Sequence, residues 1–268
     1  MNGGLTIGQT GDAGRMRDGR VYIYDGSFEG FLCAVAHGLD TEAVQLEFAA
    51  ATDNRNLSLF CGEEFEVPTV RETALNFRKR FITAVSREAF ATVRYAFHSR
   101  QPGIETLLWR YLSLGLETGR SLDSMLTREP VRSVHGIARR VAREAHKFKG
   151  FVRFREVSDG FLYAAIEPDF DILPLIASHF TTRIGDRPWV IHDLKRAQAA
   201  AFEGQTWRLV QGIEQKRTPA LTDEEQAFTM LWQRYFKHLA IDSRCNPKLQ
   251  QQHVPLKYRT HLTEFTVR

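Results

Sequence analysis

The chain has 268 residues, 43% of them hydrophobic and 25% charged, with a net charge of +4. That length can bury a sizeable core in one or two domains. No apolar run approaches the ~20 residues of a membrane span, and the opening MNGGLTIGQTGDAGRMRDG has no apolar signal core, which speaks against secretion.

Residues 1–18 read as a flexible tail, with Met16 as an alternative start, and residues 19–268 as one α+β domain. Arg20–Tyr24 predicts a short strand, and Asp25-Gly26 a turn. Ser27 then suits the N-cap of a helix whose apolar face holds Phe28, Phe31, Leu32 and Val35. A strand is expected near Leu57–Phe60. Thr69 and Glu72 have capping-box spacing. Phe77, Phe81 and Val85, then Phe90, Val93 and Phe97, give two helical segments broken at Ser86 and ended by Pro102-Gly103. Leu107, Leu108, Tyr111, Leu112 and Leu116 define another helix, which Gly119 ends.

Residues 131–149 are the cleanest periodic segment. Val134, Ile137, Ala138, Val141, Ala145 and Phe148 fall on one side at 100° per residue, and Arg132, Arg139, Arg140, Arg143 and Lys147 on the other. Phe151–Val157 and Phe161–Ile166 then predict a hairpin around Ser158-Asp159-Gly160. A helix follows over Asp171–Arg183, ended by Gly185, with Asp169 or Asp171 expected as its cap. Trp189–His192 reads as a strand, and residues 197–202 and 206–210 as a second hairpin. The expected architecture is a helical part (about 27–149), an antiparallel ββαβββ unit (about 150–212), and a C-terminal helix with an ordered basic tail (about 220–268). Thr222 and Glu225 have capping-box spacing for the last helix. Phe228, Leu231, Trp232, Tyr235 and Leu239 are expected to form its buried stripe.

The charge is unevenly placed. Residues 128–155 hold nine Arg and Lys against Glu129 and Glu144, and residues 228–268 hold seven against Asp242 and Glu264, which leaves the rest net acidic. Two concentrated basic zones point to a polyanion, with nucleic acid first; two solvated faces are the plain alternative. The nucleic-acid candidates are Arg139, Arg140, Arg143, Lys147 and Lys149 on the basic helix, Arg153 and Arg155 on the next strand, and Arg196. In the tail they are Arg244, Asn246, Lys248, Gln250, Lys257 and Arg259. Guanidinium groups pair bidentately with phosphate, and Asn and Gln match adenine edges. Packing and backbone bonding would equally account for Arg153, Arg155 and the tail.

His179, His192 and Asp193 are candidates for acid–base work, set against ordinary structural roles. Glu167, Asp169 and Asp171 lie at alternate positions, a pattern that suits Mg²⁺ as well as helix capping. No metal or cofactor is assigned. Cys33, Cys61 and Cys245 form no Cys-x-x-Cys pair and fit a reducing cytoplasm. Nucleotide-binding and hydrolase signatures are absent.

Five segments, Tyr24–Val35, Arg143–Phe154, Ala165–Ile184, Pro188–Arg196 and Leu231–Glu264, resemble in order a bacterial family called probable DNA metabolism protein. Its defining region is a domain of unknown function. The resemblance implies a DNA context and a neighbouring radical-SAM protein that serves DNA modification or repair. Longer members add a uracil-DNA glycosylase-like domain, which is not found after the tail here. The radical-SAM cluster motif is also absent, so either chemistry would come from a separate polypeptide. The expected role is a cytoplasmic accessory or nucleic-acid-binding component. An enzyme acting directly on DNA, or a protein–protein adaptor, stays open.

Overall fold

The computed structural model describes residues 19–41, 45–51, 62–158, 160–214, 219–239 and 241–266. The chain divides into two compact units. One comprises residues up to Phe97 together with Gln101–Ala138, and the other His98–Arg100 with Arg139–Arg268. The fold is mixed α+β, as expected. The expected tail at 1–18 and strand at Leu57–Phe60 lie outside the described residues.

In the first unit, β1 (Gly19–Tyr24) lies between β2 (Gln45–Ala50) and β3 (Gly62–Glu66), parallel to both. Helix α1 (Phe28–Leu39) makes the β1–β2 crossover, because parallel neighbours need a long connection. Ser27 caps α1, accepting from the Gly30 amide at 2.9 Å. Asp25 in turn accepts from the Ser27 amide and hydroxyl and from Thr69. Thr69 therefore does not cap α2 (Arg71–Ala84), whose N-cap is Val70. Its hydroxyl finds a stronger acceptor in the Asp25 carboxylate. Helices α3 (Arg87–Phe97) and α4 (Ile104–Thr118) complete the layer. Phe31, Phe81, Phe97, Leu108, Tyr111 and Leu112 are fully buried, as the helical spacing predicts.

Helix α5 (Glu129–Phe151) is longer than expected. Its apolar stripe continues through Phe148 to Phe151, whose rings pack together at 6.0 Å. Phe151 therefore ends a helix rather than starting a strand, and the expected first hairpin strand shrinks to β4 (Arg155–Glu156).

The second unit holds a five-stranded sheet in sequence order: β4, β5 (Leu162–Ile166), β6 (Trp189–Asp193), β7 (Gln198–Phe202) and β8 (Trp207–Gln211). The sheet is mixed rather than wholly antiparallel. β5 and β6 run parallel, joined by α6 (Leu173–Ile184), while the other pairs are antiparallel. Trp189, Ile176 and Phe180 build its core, with the Trp189 and Phe202 rings stacked at 5.6 Å.

Helix α7 (Asp223–Leu239) corrects the expected buried stripe. Phe228, Leu231, Trp232, Tyr235 and Leu239 are 43–68% exposed. The helix is fastened near its edge instead. Gln233 donates to the Thr263 carbonyl, Phe236 packs on Phe265, and Glu225 accepts from the Glu156 amide. An apolar period of 3.6 marks a face without saying what covers it.

Candidate nucleic-acid interface

The polar half of α5 carries a run of basic side chains. Arg139, Arg140 and Arg143 are exposed, and none makes an ion pair among the described residues. Lys147 and Lys149 are half-buried on the same helix. Arg139 to Lys147 spans roughly 12 Å of helix axis. On α6, His179 feels the charges of both Lys149 and Arg183. Burial first, then those two charges, lowers the His179 pKa. Its Nε2 is buried without a hydrogen-bond partner.

Glu144, on the same helix, forms no ion pair with these groups among the described residues. It is buried at 5% exposure and accepts from the amides of Asp169 at 2.9 Å and Phe170 at 2.8 Å. The Tyr258 hydroxyl also donates to it. Burial, followed by the bond to and charge of Glu144, pushes the Tyr258 pKa far upward, so the phenol remains a donor.

These contacts form part of a polar centre beyond the carboxyl ends of parallel β5 and β6. Open sheets favour ligand sites at such ends, but most groups here already have protein partners. Asp171 is 2% exposed, with His98 Nδ1 3.4 Å and an Arg100 nitrogen 3.2 Å from Oδ2. Gln198 Nε2 donates to Oδ1 at 2.8 Å. Burial opposes the Asp171 charge, yet the bond and charge of His98, the charge of Arg100 and the Gln198 bond together hold its pKa well below the carboxylate range. Asp171 is thus not the expected cap of α6, whose N-cap is Ile172. Arg100 and Ala197, beside this centre, have φ of 51° and 49°, a strained left-handed conformation for residues with a Cβ.

The catalytic candidates do not come together as a hydrogen-bonded group. His192 Nε2 lies 3.0 Å from the Ile213 carbonyl and Nδ1 3.0 Å from the Tyr163 hydroxyl. A carbonyl only accepts, so in the neutral ring Nε2 carries the hydrogen and Nδ1 accepts from Tyr163. Asp193 is fully buried and pairs with Arg196 at 2.9 Å. Burial raises its pKa against the partial compensation of Arg196. The carboxylates of the expected ladder are engaged separately. Glu167 accepts from His261 at 2.7 Å, and Asp169 pairs with Lys257 and Lys195. Among the described residues, no group of three His, Cys, Asp or Glu is placed to hold a metal.

Several expected nucleic-acid contacts have internal partners. Arg153 forms a two-pronged pair with Glu264, at 3.3 and 2.7 Å. Arg196 also donates to the Pro168 and Asp169 carbonyls. Asn246 caps α8 (Pro247–His253) by accepting from Leu249 at 3.0 Å. Arg259 bonds the Val254 carbonyl and Gln250, and lies over Phe265 at 4.4 Å. Arg155 is half-buried opposite Tyr163 on β5, while Arg244 and Lys248 are exposed. His98, Arg100 and Gln198 escaped the sequence reading because their shared partner, Asp171, is 73, 71 and 27 residues away.

The fold and this surface define an α+β protein with a cationic helix face beside a tail-locked polar centre. Residues 102–264 match the family described as a domain of unknown function, DUF4130, and the chain belongs to that family. No curated protein matches the chain. Among the described residues, no helix is long and apolar enough to cross a membrane.

Proposed function

We propose that this protein is a nucleic-acid-binding, accessory component of bacterial DNA repair or modification. The observation that carries this reading is the exposed Arg139, Arg140 and Arg143 set, without ion pairs among the described residues, while Glu144, the acid within that stretch of α5, is buried and bonded elsewhere. Cations held without internal partners keep their charge available for phosphate. The DNA-repair setting, the cytoplasmic location, a radical-SAM working partner and a separate uracil-DNA glycosylase rest on the sequence resemblance and the sparse cysteines.

The test is DNA affinity across a salt series for the whole protein and for Arg140→Glu/Arg143→Glu. Three neutralised phosphates give a log–log slope of roughly −3. The expected result is salt-sensitive binding that the double substitution weakens and flattens. Salt-insensitive or absent binding, with the radical-SAM partner present or not, overturns the proposal. A radical-SAM complex surviving nuclease and high salt, with no DNA affinity, establishes the adaptor reading instead.

A further inference from the structure

The first unit contains a second cationic surface, formed by residues outside both basic zones of the sequence. The start of α1 and the facing sides of α2 and α3 enclose an open groove of about 1300 Å³. Arg71, Arg78 and Lys79 of α2 and Arg87 and Arg94 of α3 line it, against the single acid Glu29. All five cations are exposed, and none has an ion-pair partner among the described residues. Arg71 to Arg78 and Arg87 to Arg94 are each seven residues, or roughly 10 Å of helix axis, apart. Two tracks of guanidinium groups therefore run along the groove walls.

Apolar side chains, among them Phe28, Leu75, Ile82 and Phe90, line the space between them beside the polar Asn76 and Thr83. Phe28 and Phe90 meet at 5.8 Å, Arg78 lies over the Phe90 ring at 5.8 Å, and Leu75 is 48% exposed. The concavity exceeds the ~300–1,000 Å³ of small-molecule pockets. All its basic groups are exposed, with no buried cation set in its floor to fix one small anion. An extended polyanion fits these features better. A purely acidic polypeptide such as polyglutamate would use the cations alone, and a duplex keeps its bases stacked inside. A single strand presents phosphates to the arginine tracks and base faces to the apolar lining and guanidinium planes.

We infer that the α1–α2–α3 groove is a single-stranded nucleic-acid site. It adds a surface to the reading above and does not depend on the α5 face.

The experiment uses the full chain and fluorescence anisotropy with an oligothymidylate of about ten nucleotides, its duplex, and polyglutamate of similar charge. Three proteins are compared: wild type, Arg78→Glu/Arg94→Glu in the groove, and Arg140→Glu/Arg143→Glu on α5. A second groove variant, Arg71→Gln/Arg87→Gln, and circular dichroism guard against misfolding. The expected result is preferential binding of the single strand, weakened about tenfold or more by the groove reversal, with a wild-type salt slope of about −3. The groove inference is overturned if both groove variants bind the single strand like wild type, or if duplex or polyglutamate binds the groove equally well. Loss of single-strand affinity on α5 reversal alone also overturns it. Loss on groove reversal alone upholds it while removing the α5 face from that binding.

Discussion

The Tyr258 hydroxyl, near the end of the chain, donates to the Glu144 carboxylate on α5. The same carboxylate holds the Asp169 and Phe170 amides. One buried acid thus joins a helix, the loop after β5 and the tail. Tyr258→Phe removes one donor and leaves the amide bonds intact. Its expected cost is about 1.5–3 kcal/mol, the range for a hydrogen bond to a charged group. Urea unfolding measures it, and unchanged stability together with unchanged proteolysis of the tail would show that the contact contributes nothing.

Asp171 sets a pH dependence with a definite sign. Its pKa is lowered on folding, so its contribution is present above the ordinary value of 3.8 and is lost as the pH falls through the folded value. Asp193, whose pKa is raised, acts with the opposite sign. Comparing Asp171→Asn with wild type separates the two. The variant is expected to lose about 3 kcal/mol at neutral pH, the low end for a broken buried pair because Arg100 is partly exposed. The gap should narrow below pH 4. A gap that stays constant down to strongly acidic conditions would refute the assignment.

Gly30 leaves little room for a side chain. A Cβ there would run into Asp25 Oδ1, which accepts from Ser27, and stand 2.7 Å from Thr69 Oγ1, which donates to the Asp25 carboxylate. Gly30→Ala is expected to destabilise by about 1–3 kcal/mol through overpacking. Asp25→Ala/Gly30→Ala should cost less than the two single changes added, since the first removes the clashing carboxylate. Strict additivity in thermal melts would argue against a shared contact.

The apolar face of α7 and the core of α4 predict opposite responses to one substitution. Leu112 is fully buried and Leu231 is 62% exposed. Leu112→Ala should cost about 2–5 kcal/mol, and Leu231→Ala less than ~0.5 kcal/mol. Similar losses at both positions would mean that α7 is covered in solution.

What could be read from the sequence follows the range of the forces involved. The amphipathic faces of α2 to α6 were legible because helical spacing is local. The β7–β8 hairpin was legible from its turn, where Gly204 has φ of 95°. The polar centre was not, because His98, Arg100 and Gln198 each depend on a carboxylate elsewhere in the chain. The groove arginines were hidden for another reason. Glu72 and Glu88 dilute the local charge count, and only folding turns Arg78 and Arg94 toward the same concavity. The α7 stripe was misread because periodicity is the same on a covered and an uncovered face.

The docking of Tyr258 has a consequence for the buried acid of α5. With the tail in place, Glu144 is 5% exposed and bonded inward, leaving Arg139, Arg140 and Arg143 outward. Removing the tail would take the Tyr258 donor from Glu144 and leave that acid, one residue from Arg143, with the Asp169 and Phe170 amides alone. The closing segment thus completes the bonding of a buried acid on the very helix that carries the arginines, a structural task separate from any contact its own cations make.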